Sequence, residues 1–257
     1  MFGEWDVEST FTGFRAPLGP RYVRPALLEA AGAGAEEGGV GSRYAFKQRF
    51  FSTLPDTFAN NARVNLGLLP EDAVIADRAF NARASANAYL GDPSAVLAAD
   101  YDARVPDRLT LEFQRLAADM RPLPPRRAEL YIQNIQSAEL EPVYSEEDAP
   151  SAAYAAFPPP NAPGWVLSEL CRQVTLGVRS AEVQDYEVAT VFALVSPSRI
   201  VARQRTLLYL EPRDDLYFQA RGRAVAAYDY ELSYRRVAAP SGATACVETP
   251  KDVVQCI

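Results

Sequence analysis

The 257-residue chain contains no histidine. That removes Ser-His-Asp and Cys-His nucleophile pairs, histidine-ligated zinc or non-haem iron, and the imidazole pH switch. Lysine is nearly absent as well. Of 26 basic residues only Lys47 and Lys251 are lysines, which leaves Schiff-base chemistry two positions to use. No apolar stretch is long enough to span a membrane as a helix, so no transmembrane segment is expected. There is no basic run and the net charge is −7, which denies a nucleic-acid binder its electrostatic footprint. The opening Met1-Phe2-Gly3-Glu4-Trp5 lacks the basic-then-apolar order of a secretion signal. Either the protein stays where it is made or a targeting segment is absent from this chain.

Three cysteines, at positions 171, 246 and 256, cannot all pair internally. Cys246 and Cys256 lie close together in a polar tail with Pro250, where a disulfide is sterically easy in an oxidising compartment. Three reduced thiols are the alternative. Glu139, Glu141, Glu146, Glu147 and Asp148 lack the spacing and glycine of a calcium loop, and no metal site is expected. Gly38, Gly39 and Gly41 precede no strand-to-helix phosphate loop, which leaves nucleotide binding without support.

What the chain does have is a period of two. Trp5, Val7, Ser9 and Phe11 alternate with Glu4, Asp6, Glu8 and Thr10. Tyr44, Phe46, Gln48 and Phe50 alternate with Arg43, Ala45, Lys47 and Arg49. Leu109, Leu111 and Phe113 follow the same rule, as do Ile200 to Leu210 and Ala224 to Tyr234. Further strands are expected at Glu129–Gln136, Val166–Leu176 and Val183–Leu194. This alternation is what strands with one buried and one wet face require. Helical signal is thin: Glu71 to Leu90 with Gly91 as its stop, two turns over Pro20–Ala31 interrupted by Pro25, and a short turn at Asp214–Ala220.

The expected fold is mainly β, a single antiparallel β-barrel over residues 1–236 with one or two short helices. Closure removes the exposed edges that a sheet of eight or more strands would carry. A two-sheet sandwich is the rival. Surface insertions are expected at about 31–41, where Ala, Gly and Glu offer little to a core, and at 137–163, acidic and then proline-rich. Residues 237–257 read as a polar C-terminal tail.

Gly3-Glu4-Trp5 at the start of the first strand resembles the Gly-x-Trp opening of lipocalins and other calycin barrels. That resemblance implies a tryptophan closing one end of the barrel with an arginine late in the last strand packed across it, a place open to Arg235 or Arg236. A longer resemblance starts with Gly3 to Phe11, Ala16-Pro17-Leu18-Gly19 and Phe46-Lys47-Gln48-Arg49-Phe50. It continues through Val74 to Asn81, Ala88-Tyr89-Leu90-Gly91, Leu207 to Leu210 and Tyr217 to Ala226. Together these are similar to an uncharacterised domain family of unknown function from cyanobacteria and the plastids of algae and plants. The resemblance implies a plastid protein of the thylakoid lumen and carries no reaction with it.

The candidate ligand-binding residues follow from polarity in apolar places. Arg78 and Asn81 are placed to hold a carboxylate, carbonyl or phosphate head group. The alternative is that Asp77 caps a helix and Arg78 makes a structural contact. Gln48, Gln204 and Thr206 sit on inward faces, where an amide needs a ligand or a cross-strand partner. Tyr228, Tyr230 and Tyr234, with Phe46, Phe50 and Trp5, form either an ordinary core or a pocket for a pigment, lipid or quinone-like ligand. No catalytic set is evident and no cofactor is identified. The expected function is non-enzymatic binding of a small amphipathic or hydrophobic ligand in the barrel, with peripheral membrane association open to it. The alternative is an accessory or assembly subunit with a side-chain-filled barrel that docks to a thylakoid protein complex of photosynthesis.

Overall fold

The computed structural model describes all residues except 56, 67, 69–72, 103–104, 115–120, 141–161, 178–179 and 240–242. The long alternating segments are strands: β1 (Gly3–Arg15), β2 (Arg43–Ser52), β5 (Arg108–Phe113), β6 (Arg126–Leu140), β7 (Gly164–Leu176), β8 (Ala181–Ser196), β9 (Arg199–Leu208) and β10 (Ala226–Arg236). Four short strands that alternation does not reveal join them: β3 (Val74–Ala76), β4 (Val96–Asp100), β11 (Cys246–Glu248) and β12 (Val254–Cys256). A pattern needs more than three to five residues to declare a period. The helices are α1 (Pro25–Gly32), α2 (Phe58–Asn65), α3 (Arg78–Leu90) and α4 (Tyr217–Ala220).

Ten strands form one antiparallel sheet in the order β3-β2-β1-β10-β9-β8-β7-β6-β5-β4, and β11 pairs with β12 in a separate hairpin. The large sheet curls into a half-barrel, as the twist of adjacent strands favours. Strand pairing leaves it open among the described residues, with β3 and β4 as its edges. The closure expected from the strand count is therefore not made by hydrogen bonds. Helix α3 contacts both β2 and β4 and stands in the seam.

The inward residues of β1, β2, β9 and β10 are those the alternation assigns. Val7 pairs with Phe46 on one side and Tyr234 on the other, and Trp5 with Gln48 and Arg236. The main core gathers Trp5, Val7, Phe192, Ile200, Leu232 and Tyr234. The outer face is a lattice of ion pairs: Glu4 with Lys47 and Arg49, Arg172 with Asp185, and Asp229 with both Arg205 and Arg15. Glu129, buried on that face, takes hydrogen bonds from Arg108, Thr110 and Arg127. Arg108 first, then Thr110 and Arg127, hold its carboxyl at about 2 against the cost of burial.

Two helix expectations change. The helix expected from Glu71 begins only at Arg78, because Val74–Ala76 pair with β2 and the Asp77 carboxylate accepts the Phe80 amide at 3.0 Å. Pro25 starts α1 rather than interrupting it, since the first helical turn needs no amide donor there. The Ala/Gly stretch 31–41 is mostly exposed, as expected of a surface segment, and is tied to the sheet: Ala31 and Gly39 are buried, and Phe11 bonds through its backbone to Gly41 and Ser42. Gly39 permits this, because a Cβ there would lie 1.8 Å from the Ala33 carbonyl oxygen. Most of the expected insertion at 137–163 lies outside the described residues; its first four belong to β6. No helix among the described residues is long and apolar enough to cross a membrane.

Candidate functional site

One end of the half-barrel is shut. Trp5 is fully buried, its indole N–H donates to the Met1 carbonyl at 2.8 Å, and the Arg236 guanidinium lies 4.4 Å from its ring centroid. Arg236 also donates to the carbonyls of Phe2 and Pro197, and burial pushes its pKa down. Arg235 does not share this role: it is exposed, in register with Asp6 and Arg199. Alternation decides between the two, since only the residue two beyond Tyr234 shares its face. Gly3 sits at φ +111°, and a Cβ there would approach Arg236 to 3.0 Å and Ala245 to 3.1 Å. Close approach as well as conformation thus fixes the glycine of the Gly-Glu-Trp opening.

The C-terminal residues finish this end. Cys246 and Cys256 are joined by a disulfide across the β11–β12 pair, and Ala245 and Val247 are buried against Phe2. The Gln255 carboxamide accepts the Ser52 amide at 2.8 Å and donates to the Ser52 carbonyl at 3.0 Å. The segment expected to be a polar tail is a packed hairpin.

The opposite end is different. A cavity of about 90 Å³ lies between Phe11, Tyr44, Tyr89, Tyr228 and Tyr230 on one side and Ala30, Ala31 and Gly38 on the other. The rings contact one another: Tyr44 and Tyr89 centroids are 4.3 Å apart, and Phe11 is 5.2 Å from Tyr230 and 5.9 Å from Tyr228. Tyr89 reaches in from α3, its hydroxyl 3.1 Å from the Ser9 hydroxyl, and Ser42 donates to the Tyr44 hydroxyl at 3.1 Å. The hydroxyls of Tyr228 and Tyr230 have no hydrogen-bond partner among the described residues. Burial pushes the pKa of Tyr89, Tyr228 and Tyr230 up, so all three stay protonated at neutral pH.

Of the residues singled out from sequence, Tyr228 and Tyr230 line this cavity, and the others do not. Phe46 packs against the main core and lines an open groove of about 400 Å³ between α3 and β2 with Phe80, Ala84 and Ala88. Gln48 and Gln204 are half-buried on the inner face, with no hydrogen bond to either side chain among the described residues. Arg78 is held by Glu169 of β7 at 2.6 Å. The Asn81 carboxamide accepts the Arg49 amide at 2.7 Å and donates to the Arg49 carbonyl at 3.1 Å, much as a neighbouring strand would. Arg78 and Asn81 are thus anchors that seat α3 in the seam.

Phe11, Tyr44 and Tyr89 are the aromatics that the site adds. The first two continue alternations already visible in β1 and β2. Tyr89 carries no local signal, because only the helix's position across the seam brings it to β1. No group of metal-ligating side chains occurs among the described residues. Cys171 is buried on the inner wall, its thiol pushed up to about 11 by burial and then by Glu169, which keeps it from acting as a thiolate. The cavity wall is aromatic with hydroxyl donors.

Residues 1–238 match the family model described as Domain of unknown function (DUF6816), and the chain belongs to that family. Neither the curated proteins nor the solved structures compared with it gave a match.

Proposed function

We propose that this member of a family of unknown function is a non-enzymatic binding protein. It takes a small amphipathic or hydrophobic molecule at the open end of its curled sheet. The observation that carries this is the tyrosine-lined cavity: an aromatic wall, small residues opposite, and two lining tyrosines whose hydroxyls no group among the described residues satisfies. We read the half-barrel as a calycin-type chamber opened along one seam and filled there by α3. Support comes from Gly3 and Trp5 under Arg236 at the shut end. The location proposed is the plastid, at the thylakoid on its lumenal side, and rests on the sequence resemblance alone. An accessory subunit docking to a photosynthetic membrane complex would be expected to have a filled interior, and the cavity favours ligand binding over it.

Filling the space is the direct test. Ala31→Phe should abolish binding of a small hydrophobic probe such as ethylbenzene, followed by ligand-observed NMR, while leaving the melting curve cooperative. Unchanged probe binding in that variant would overturn the assignment of the cavity. Fractionation of plastids with an antibody to the protein tests the location, and recovery outside thylakoid fractions would overturn it.

A further inference from the structure

Resting on the cavity as a binding site, we propose that its ligand class is a compact, neutral ring carrying a hydrogen-bond acceptor oxygen, such as an aryl ketone or a quinone-type ring. An acyl chain or an anion is the wrong chemistry for it. Size, wall chemistry and hydrogen-bond inventory lead to this separately.

The volume of about 90 Å³ is below the roughly 150 Å³ of an engineered apolar cavity that holds benzene, yet this one opens to solvent. The space therefore takes at most a single ring, with part of the molecule projecting through the mouth. The wall is built from ring faces and edges, with Tyr44, Tyr89 and Tyr230 within 4.3 to 6.2 Å of one another in successive pairs. Aromatic walls of this kind favour offset or edge contacts with another ring over a flexible chain, which would lose rotamer entropy on entry. Among the described residues no Arg, Lys, Asp or Glu lines the space, so a charged ligand would give up hydration with no opposite charge to meet it.

The hydrogen-bond inventory gives the acceptor. Tyr44 and Tyr89 are engaged by Ser42 and Ser9, whereas the Tyr228 and Tyr230 hydroxyls have no partner among the described residues. Both residues are half-buried and neither hydroxyl is a buried atom without a partner, so the two reach solvent, and a ligand that displaces water from them must offer an acceptor in its place. Both hydroxyls stay protonated through neutral pH, and so act as donors. A carbonyl or ether oxygen on the ring can take either proton.

The test uses the full chain and three probes of similar size: acetophenone, ethylbenzene and benzoate. Acetophenone should bind about tenfold more tightly than ethylbenzene, with benzoate weakest. Tyr228→Phe combined with Tyr230→Phe should bring acetophenone down to the level of ethylbenzene and leave ethylbenzene unchanged. Because the two hydroxyls make no hydrogen bond among the described residues, the double variant should fold as the wild type does, checked by its melting curve. Equal affinity for acetophenone and ethylbenzene, or preference for benzoate, would overturn this ligand class while leaving the cavity as the site. Binding of acetophenone that survives Ala31→Phe, or no binding of any probe to the wild type, would overturn both.

Discussion

At one end of β1, Trp5 is completely buried beneath Arg236, and a disulfide-closed hairpin packs on Phe2 beside it. Further along the same strand, Phe11 borders a cavity open to solvent beside Tyr228 and Tyr230. Both ends are built from β1, β2 and β10 with the same inward alternation, and both are rich in aromatic rings. They differ in what lies across from the sheet. At the shut end an arginine and the C-terminal hairpin supply matching surface; at the open end the facing residues among those described are Tyr89 of α3 and the small Ala30, Ala31 and Gly38. Aromatic content therefore does not decide whether an end is core or pocket. The bulk of the facing segment does.

That contrast can be broken most directly at Trp5. Trp5→Ala should cost ~3–5 kcal/mol in urea unfolding, as truncation of a large core side chain does. A near-wild-type midpoint would show that the shut end is not packed as described. Next in size is the Cys246–Cys256 link. Reducing it should cost about 2–3 kcal/mol for so short a loop, measured as the difference between unfolding curves with and without dithiothreitol. If reductant leaves the curve in place, the hairpin adds nothing to the shut end.

Asn81→Ala tests the seam between the two ends. Loss of its two bonds to Arg49 should cost about 1–2 kcal/mol and speed hydrogen exchange at the Arg49 amide. Unaltered exchange there would remove α3's anchor from the account.

Each end carries groups that titrate in acid and in alkali: Glu4 and Tyr234 at the shut end, Asp229 and Tyr228 at the open end. Against the cost of burial, bonds from Lys47 and Arg49 hold Glu4 below its ordinary 4.5. Its contribution is complete above pH 4.5 and is lost as pH falls through the lowered value. Tyr89 and Tyr228 are raised above 10 by burial, so their contribution is complete below pH 10 and lost as pH rises through the raised values. Hydrogen exchange followed from pH 3 upward should show the Glu4 region loosening in acid, and tyrosinate absorbance should lag that of free tyrosine in alkali. Exchange near Glu4 that acid leaves unchanged, or tyrosinate absorbance that tracks free tyrosine, would overturn these assignments. The smallest effect is expected from Tyr228→Phe with Tyr230→Phe, under about 0.5 kcal/mol, since their hydroxyls hold no protein bond. A loss of several kcal/mol would mean the open end is packed like the shut one.

Much of this was legible from residue order. The alternations at Trp5–Phe11, Tyr44–Phe50, Ile200–Leu208 and Ala226–Tyr234 name the inward faces, and these are the faces observed. Asp77 and Gly91 bracket α3 as its cap and its left-handed stop. The candidate site was legible only in part. Tyr228 and Tyr230 follow from periodicity, but Arg78 and Asn81, polar residues in a helix start, gave no sign that their partners would be Glu169 and the Arg49 backbone.

The sequence by itself determined which residues face inward, because a strand's side chains alternate at every residue whatever the strand pairs with. Only the tertiary structure decided that the sheet stays open, that a helix fills the seam, and that one aromatic end is sealed while the other is hollow. Those outcomes rest on contacts such as Phe2 with Arg236 and Ser52 with Gln255, between residues about 200 positions apart. Such pairings leave no periodic trace in the chain, since their partners are chosen by the curl of the whole sheet and not by local backbone geometry.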